Sequence, residues 1–334
     1  MVNSRLKKLA GFGVIWALLV VSVGAYTRLA DAGLGCPDWP GCYGFLTVPE
    51  DLAKISTAET RFPDAPVEIE KAWWEMGHRY IAGFLLLIVF TMLVMTWRNA
   101  KERTPTKMVS ALMVLILCQA AFGAWTVTLK LWPQVVTAHL LGGFATLSLI
   151  WLIYLRQGGL PRLVSDLPAP TLHANIALVA VVLQIMLGGW VSSNYAALAC
   201  YDFPSCDGSY TPAIDLAQGF NLLQAVGPSY LGGLMDSEAR AAIHWVHRIG
   251  AIFVLLIVGS LVYRLLSTKP LMAYLMGGML LLQICLGILN VVWVLPLLNA
   301  TAHNTVGALL LLCLVTVNFA PRLRFVRIAT PLPK

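Results

Sequence analysis

Charge is scarce in this chain. Of its 334 residues only 12% are Asp, Glu, Lys or Arg, about half of the ~25% found in an ordinary soluble domain. No charged residue occurs from Leu167 to Tyr201, nor from Pro270 to Pro321. A Gly-x-Gly-x-x-Gly fingerprint and a Walker-type loop are also missing, so nothing supports nicotinamide or ATP chemistry. No Ser-His-Asp arrangement is evident. These absences exclude a disordered chain, a nucleic-acid-binding tail and nearly every soluble fold. What is present is 58% hydrophobic, with a mean hydropathy of +0.76.

A bilayer-spanning helix needs ~20 apolar residues, and the apolar runs divide into eight such spans: 9–27, 76–97, 108–129, 135–155, 172–191, 242–264, 270–294 and 299–319. Backbone groups in lipid must bond within their own segment or within a closed barrel. The runs show no period-2 alternation, so helices are expected. Arg5, Lys7 and Lys8 precede the first run as in a secretory signal, but the run is long and no small-residue cleavage motif ends it. A retained anchor is the expectation.

Positive charge orients the spans. One side holds Arg5, Lys7, Lys8, Arg98, Lys101, Arg103, Lys107, Arg156, Arg162, Arg264, Lys269, Arg322, Arg324, Arg327 and Lys334, with Glu102 and Asp166 as its acidic residues. Of 23 basic and 16 acidic residues, 15 and 2 lie there, leaving 8 and 14 opposite; the net +7 is +13 on one side and −6 on the other. Both termini are expected in the cytoplasm, with long outer loops near 28–75 and 192–241. The basic balance thus reports topology and says nothing about nucleic acid.

The chain also repeats. Cys36, Cys42 and Gly44 reappear as Cys200, Cys206 and Gly208, each shifted by 164. Gln119 and Gly123 become Gln283 and Gly287, and Thr137-Ala138-His139 becomes Thr301-Ala302-His303, all at the same shift. His78-Arg79 becomes His247-Arg248 at a shift of 169, so five residues enter the second long outer loop. The expectation is an all-α integral membrane protein of eight transmembrane helices, arranged as two tandem four-helix bundles, 1–160 and 161–334, pointing the same way. Transporters also use such repeats, so the repeat alone assigns no function.

Four histidines lie on the repeat: His78, His139, His247 and His303. Each is expected within the first turn or two of an even-numbered helix, at matched depth in its half. Two imidazoles on different helices of one bundle suit a flat macrocycle held between them, and imidazole is a usual axial ligand of heme iron. The blander reading is a hydrogen-bonded core histidine; four in register argue against it, since polar residues in membrane helices are costly. Zinc would need further ligands gathered on one ion, and only Glu75 and His244 stand near. Glu75 precedes His78 by three residues and His244 precedes His247 by three, so the halves differ at one matched place, as a chemical site and an electron-delivering site would. His173 has no repeat partner and is read as packing.

Arg79 and Arg248 follow their histidines directly and suit heme propionates, because guanidinium matches carboxylate geometry; snorkelling to the interface is the alternative. Arg28 is a weaker candidate. The pairs Cys36/Cys42 and Cys200/Cys206 lie in outer loops, where an oxidising compartment permits disulfides. A structural clip is the simpler reading, above all for Cys200/Cys206, while a redox-active pair remains open for Cys36/Cys42. Cys118, Cys285 and Cys313 are expected to pack within helices.

Thr27-Arg28-Leu29, Gly33 to Pro40, Glu75-x-x-His78-Arg79, Gln119 to Gly123, Thr126-Val127 and Thr137-Ala138-His139 together resemble the first half of bacterial heme A synthases. His247-Arg248 and Thr301-Ala302-His303 resemble the second half, so the likeness covers nearly the whole chain. That family oxidises the C8 methyl of heme O to a formyl group by two hydroxylations and loss of water. The resemblance implies that His247 and His303 hold a resident heme b and that His78 and His139 flank the substrate heme. It also makes Glu75 the essential carboxylate and Cys36/Cys42 the first-loop disulfide. Heme O synthase would supply the substrate, cytochrome oxidase assembly would consume the product, and the exposed membrane face would suit a homo-oligomer. The rival readings are a b-type electron-transfer cytochrome and a heme transporter or chaperone. The charge asymmetry predicts that a fluorescent protein fused after Lys334 fluoresces while alkaline phosphatase fused within 192–241 is active; the reverse pattern would invert the assigned topology.

Overall fold

The computed structural model describes residues 3–99, 105–164, 167, 169 and 171–322. Lys101, Glu102, Arg103, Asp166, Arg324, Arg327 and Lys334, used above for orientation, lie outside the described residues, as does the side chain of Arg162. The helices in chain order are α1 (Ser4–Leu29), α2 (Leu52–Arg61), α3 (Ile69–Arg98), α4 (Thr106–Thr128), α5 (Pro133–Arg156), α6 (Pro161–Val164), α7 (Leu172–Ser193), α8 (Leu216–Gly219), α9 (Ser237–Leu266), α10 (Pro270–Val292) and α11 (Leu297–Phe319). Among the described residues there is no β-strand, only the isolated bridges Cys42–Phe45 and Cys206–Ser209.

Eight of these helices are long and apolar enough to cross a bilayer: α1, α3, α4, α5, α7, α9, α10 and α11. They match the eight runs seen in the sequence, with one informative difference. α3 and α9 are 30 residues each and begin at Ile69 and Ser237, earlier than 76 and 242. Hydropathy marks the edge of the bilayer, whereas a helix continues past it while its backbone bonds are satisfied. As a result His78 and His247 are the tenth and eleventh residues of their helices, and His139 and His303 the seventh of theirs. His139 and His303 thus lie within the first two turns, as expected, whereas His78 and His247 sit in the third turn, deeper along the helix than expected.

α1, α3, α4 and α5 pack in a ring, α1 on α3, α3 on α4, α4 on α5 and α5 on α1. α7, α9, α10 and α11 form the matching ring. The rings meet through α1 on α11, α5 on α7, and α5 on α11. A shift of 164 exchanges the first two contacts and maps the third onto itself, as a two-fold relation along the membrane normal requires. The loops repeat as well. Left-handed φ values at Asp31, Tyr43, Lys130 and Leu131 recur at Tyr195, Asp207, Val294 and Leu295, each 164 residues on.

Lipid tails are as apolar as leucine, so helix association here relies on close packing and small residues rather than on water exclusion. Ala10, Gly13 and Ala17 form a buried stripe on α1, repeated on α7 as Ala174, Ala177 and Val181. A Cβ on Gly13 would stand 3.3 Å from Ile150 and 3.4 Å from Ile88, so α1 approaches α3 and α5 closely. One apolar cluster runs through both rings, from Leu6 through Ile150 to Leu314 and Val317. α11 is its centre: 61% of its most apolar window is buried, against at most 33% in the other spans. A polar bond crosses the seam too, with Trp151 Nε1 donating to Thr316 Oγ1 at 2.8 Å, and within the second ring Asn318 Nδ2 donates to the Ala174 carbonyl at 3.0 Å. Bonds of this kind contribute about 0.6 kcal/mol on average within membranes, whereas truncating a fully buried leucine costs about 2–5 kcal/mol. Thr316→Val is therefore expected to lower resistance to detergent unfolding slightly and Leu314→Ala severely; equal effects would contradict packing as the dominant cohesion.

Candidate heme site

Each ring carries its two histidines on α3 and α5, or on α9 and α11. In every case the ring edge faces a glycine of the helix before it. A Cβ placed on Gly24 of α1 would come within 2.7 Å of His78 Cε1, and one on Gly123 of α4 within 3.5 Å of His139 Cε1. For Gly188 of α7 and His247 the distance is 3.4 Å, and for Gly287 of α10 and His303 it is 3.1 Å. Gly24 and Gly188 are 164 residues apart, as are Gly123 and Gly287. Four imidazoles thus rest in four repeat-related notches that any larger residue would fill.

The rings are surrounded by protein on nearly all sides, yet each residue keeps surface that a water-sized sphere reaches. Both observations hold if the rings line an internal cleft. His78 lies near His139, and His247 near His303. Nδ1 of His78, His139 and His303 is buried without a hydrogen-bond partner. A buried polar atom left unpaired calls for a partner. Paired neutral imidazoles on facing helices, apolar surroundings and glycine clearance fit a porphyrin iron held between them. Among the described residues no group of three or more His, Cys, Asp and Glu is placed to hold a metal ion, so the donor set does not gather as zinc requires.

The halves differ around these pairs. Gln184 Nε2 lies 3.1 Å from His247 Nδ1 and donates to the His247 carbonyl at 2.8 Å, and Gln283 Nε2 lies 3.2 Å from His303 Nε2. In the first half Val20 stands at the place of Gln184; the Oε1 of Gln119 is buried and unpaired, as is that of its repeat mate Gln283. Sequence reading missed Gln184 and the meaning of the glycines. The repeat register contained the signal for the glycines, but nothing marks Gln184 before α7 and α9 are seen to pack.

Glu75 is 5% exposed, and a carboxylate so buried must be paired. Its Oε1 meets Arg79 Nη2 at 2.5 Å and its Oε2 accepts from the Cys36 N–H at 2.8 Å. Arg79 then spends its other donors on the first outer loop, with Nη2 to the Asp38 carbonyl at 3.0 Å and Nη1 to the carbonyls of Pro40, at 3.2 Å, and Gly41. The second half copies this in different chemistry. Arg248 Nε donates to His244 Nε2 at 3.1 Å, Nη1 to the Ser205 carbonyl at 2.7 Å and Nη2 to the Cys200 carbonyl at 2.9 Å. Neither arginine snorkels. Each fastens a disulfide loop to the helix that bears the histidine. Arg28 is likewise engaged: it donates to the Ser192 carbonyl at 2.6 Å and lies 4.2 Å from the Tyr195 ring centroid, across the seam between halves.

Both outer cysteine pairs are disulfides, Cys36–Cys42 and Cys200–Cys206. An aspartate closes each loop: Asp38 accepts from the N–H groups of Tyr43 and Gly44, and Asp202 from those of Asp207 and Gly208. Burial, then Glu68, pushes the Tyr43 phenol up to about 12, so it stays protonated and donates to the Pro66 carbonyl at 2.8 Å. His173 Nε2 is 3.1 Å from the Ile257 carbonyl and 3.0 Å from Ser260 Oγ, away from both pairs. Cys118 and Cys285 are exposed on their helices rather than packed, and Cys313 is half-buried.

A family model described as cytochrome oxidase assembly protein matches residues 7–315. A heme A synthase of Shewanella oneidensis is 48% identical over 310 residues, 92% of this chain and 93% of that protein. A heme A synthase of Allorhizobium ampelinum is 29% identical, covering 97% of this chain and 91% of its own. That of Caulobacter sp. is 28% identical over 93% of each. With the match running through all eight spans and both histidine pairs, the chain belongs to the cytochrome oxidase assembly family that includes the heme A synthases.

Proposed function

We propose that this protein is a heme A synthase, an oxidoreductase of the bacterial inner membrane that oxidises the C8 methyl of heme O to a formyl group. The observation that carries the proposal is the duplicated histidine pair, each ring set against a glycine and three of the four with an unpaired buried nitrogen. In this reading the half 1–160 takes the substrate heme between His78 and His139. The half 161–334 holds a resident heme b through His247 and His303. Heme b, when bound, supplies one-electron redox chemistry. Heme O synthase is the natural supplier of substrate, and the lipid-facing helices would suit a homo-oligomer. Both termini lie in the cytoplasm and the disulfide loops on the outer side.

The surrounding residues bind and orient. Gln184 and Gln283 bond their histidines in the second half, which suits a permanent ligand pair. The first pair lacks matching amide bonds among the described residues, which suits a porphyrin that must come and go. Glu75 lies one helical turn from His78 and joins Arg79 to the Cys36 amide. It holds the first disulfide loop against the helix bearing His78, and its charge is matched by Arg79 rather than by water. Arg248 and His244 do the same in the second half without a carboxylate. The first half alone therefore carries a buried acid beside its heme site.

Four tests follow from this division. Hemes extracted from the purified protein after co-expression with heme O synthase should include heme A or a hydroxylated heme; heme b alone would favour an electron-transfer cytochrome. Changing His247 or His303 to Ala should remove heme b, whereas changing His78 or His139 should remove product and leave heme b in place. Glu75→Gln should abolish heme A formation at normal heme b content, and undiminished product would remove the carboxylate from the chemistry. Filling a notch with Gly287→Leu should weaken heme b binding roughly tenfold to a hundredfold, from an overpacking cost of about 1–3 kcal/mol, measured as heme b per chain.

A further inference from the structure

The second outer loop does not stay over its own half. After α8 its chain crosses the seam and lies on the outer end of the first ring. Trp132 Nε1 donates to the Gln224 carbonyl at 3.1 Å, and Gln134 Nε2 to the Leu222 carbonyl at 3.0 Å. The Tyr230 N–H donates to the Lys130 carbonyl at 3.0 Å. Lys130, Trp132 and Gln134 form the turn into α5 and its first residues. Trp132 and Gln134 precede His139 by seven and five residues, roughly 8–10 Å along the helix. The segment thus sits directly above one histidine of the first pair.

The repeat makes this placement informative. The turn from α10 into α11 corresponds to the covered turn, yet Trp293 and Leu298 are exposed there, whereas their counterparts Leu129 and Gln134 are half-buried. Among the described residues no hydrogen bond ties the first outer loop to that turn. The five residues by which the second loop exceeds the first enter between Gly208 and His247, the stretch that contains this segment. Among the described residues only the first ring has such a cover, and it comes from the other half.

Its attachment is economical. The three bonds to the first half engage only backbone atoms of the segment, whose own side chains bond elsewhere: Gln224 Nε2 donates to Asn194 Oδ1 at 3.1 Å, in its own half, and the Tyr230 hydroxyl to the Ala225 carbonyl at 2.6 Å. Leu223 is 90% exposed, and Leu222, Val226 and Leu231 are exposed as well. Gly227, Gly232 and Gly233 take φ of +126°, +82° and +81°, values that L side chains rarely adopt, and they flank the attached Tyr230. Where the segment meets the first ring, Oε1 of Gln134 and Oε1 of the segment's own Gln224 are buried without partners. Closure therefore leaves two acceptors unpaired, which lowers the cost of opening.

We infer that residues 221–231 are a displaceable cover, supplied by the second half, which opens to exchange the porphyrin held between His78 and His139. The inference rests on the substrate-site reading above. A resident cofactor needs no such door, and the second ring has none. A porphyrin that enters and leaves needs one, and exposed leucines let the opened segment lie against the outer leaflet.

The test uses the full chain in lipid nanodiscs, loaded with heme O and containing its heme b, with excess apomyoglobin as heme acceptor. Trp132→Phe combined with Gln134→Ala removes two of the three bonds. Release of heme O should quicken roughly ten- to thirtyfold, while heme b retention stays unchanged. Unchanged heme O release, or equal quickening for both hemes, would overturn the inference. A second measurement uses the wild-type chain: heme O loading should slow hydrogen exchange at the Tyr230 amide, and no slowing would likewise overturn it. His139→Ala in the release assay separates the two levels. If that change does not alter heme O release, the substrate-site reading fails; if it does and the cover variant is silent, only the cover is wrong.

Discussion

A neutral imidazole buried inside a membrane bundle must find a partner for each ring nitrogen, and lipid supplies none. Much of the architecture follows from that constraint. Four helices are needed to surround one pair of rings, and glycines at 24, 123, 188 and 287 are needed to let the rings stand between helices. An iron-centred macrocycle answers the need because it takes one nitrogen from each side and fills apolar space with apolar surface. The bundle is thus a holder whose polar interior makes sense only around such a group.

On the proposed reading duplication supplies two holders, and the differences between them fit the division of work proposed for them. The second pair is braced by Gln184 and Gln283. The first has Val20 where Gln184 would be, a buried Glu75 where the second half has His244, and a segment of the other half lying over it. The shared apolar cluster through α1, α5, α7 and α11 makes the two holders one body, so distance and orientation between the two sites are fixed by packing. Arg28 and Tyr195 add a polar clasp at the outer end of that seam.

Rare residue types made much of this legible before any coordinates. Charge-free runs gave the eight spans, and histidines and cysteines in register gave the halves. Depth was misjudged at His78 and His247, because hydropathy ends where lipid ends and the helices of Ile69–Arg98 and Ser237–Leu266 do not. The glycines were invisible as site residues, since glycine in an apolar helix is ordinary until the residue facing it is known; Gly123 and Gly287 had been noticed only as repeat marks. Arg79 and Arg248 suited propionates or the interface equally well. Their actual partners, loop carbonyls and an acid or imidazole four residues back, depend on the path of a disulfide loop that local spacing does not determine.

Iron ligation itself is the most direct measure of the account. Low-temperature electron paramagnetic resonance of the oxidised, purified protein, read with its porphyrin count per chain, reports which atoms hold the iron. The account predicts a low-spin bis-imidazole signal from one heme b, lost when His247 or His303 is replaced, and a second porphyrin per chain once heme O is supplied. A purely high-spin signal, or an unaltered low-spin signal in a chain lacking both second-half histidines, would contradict it.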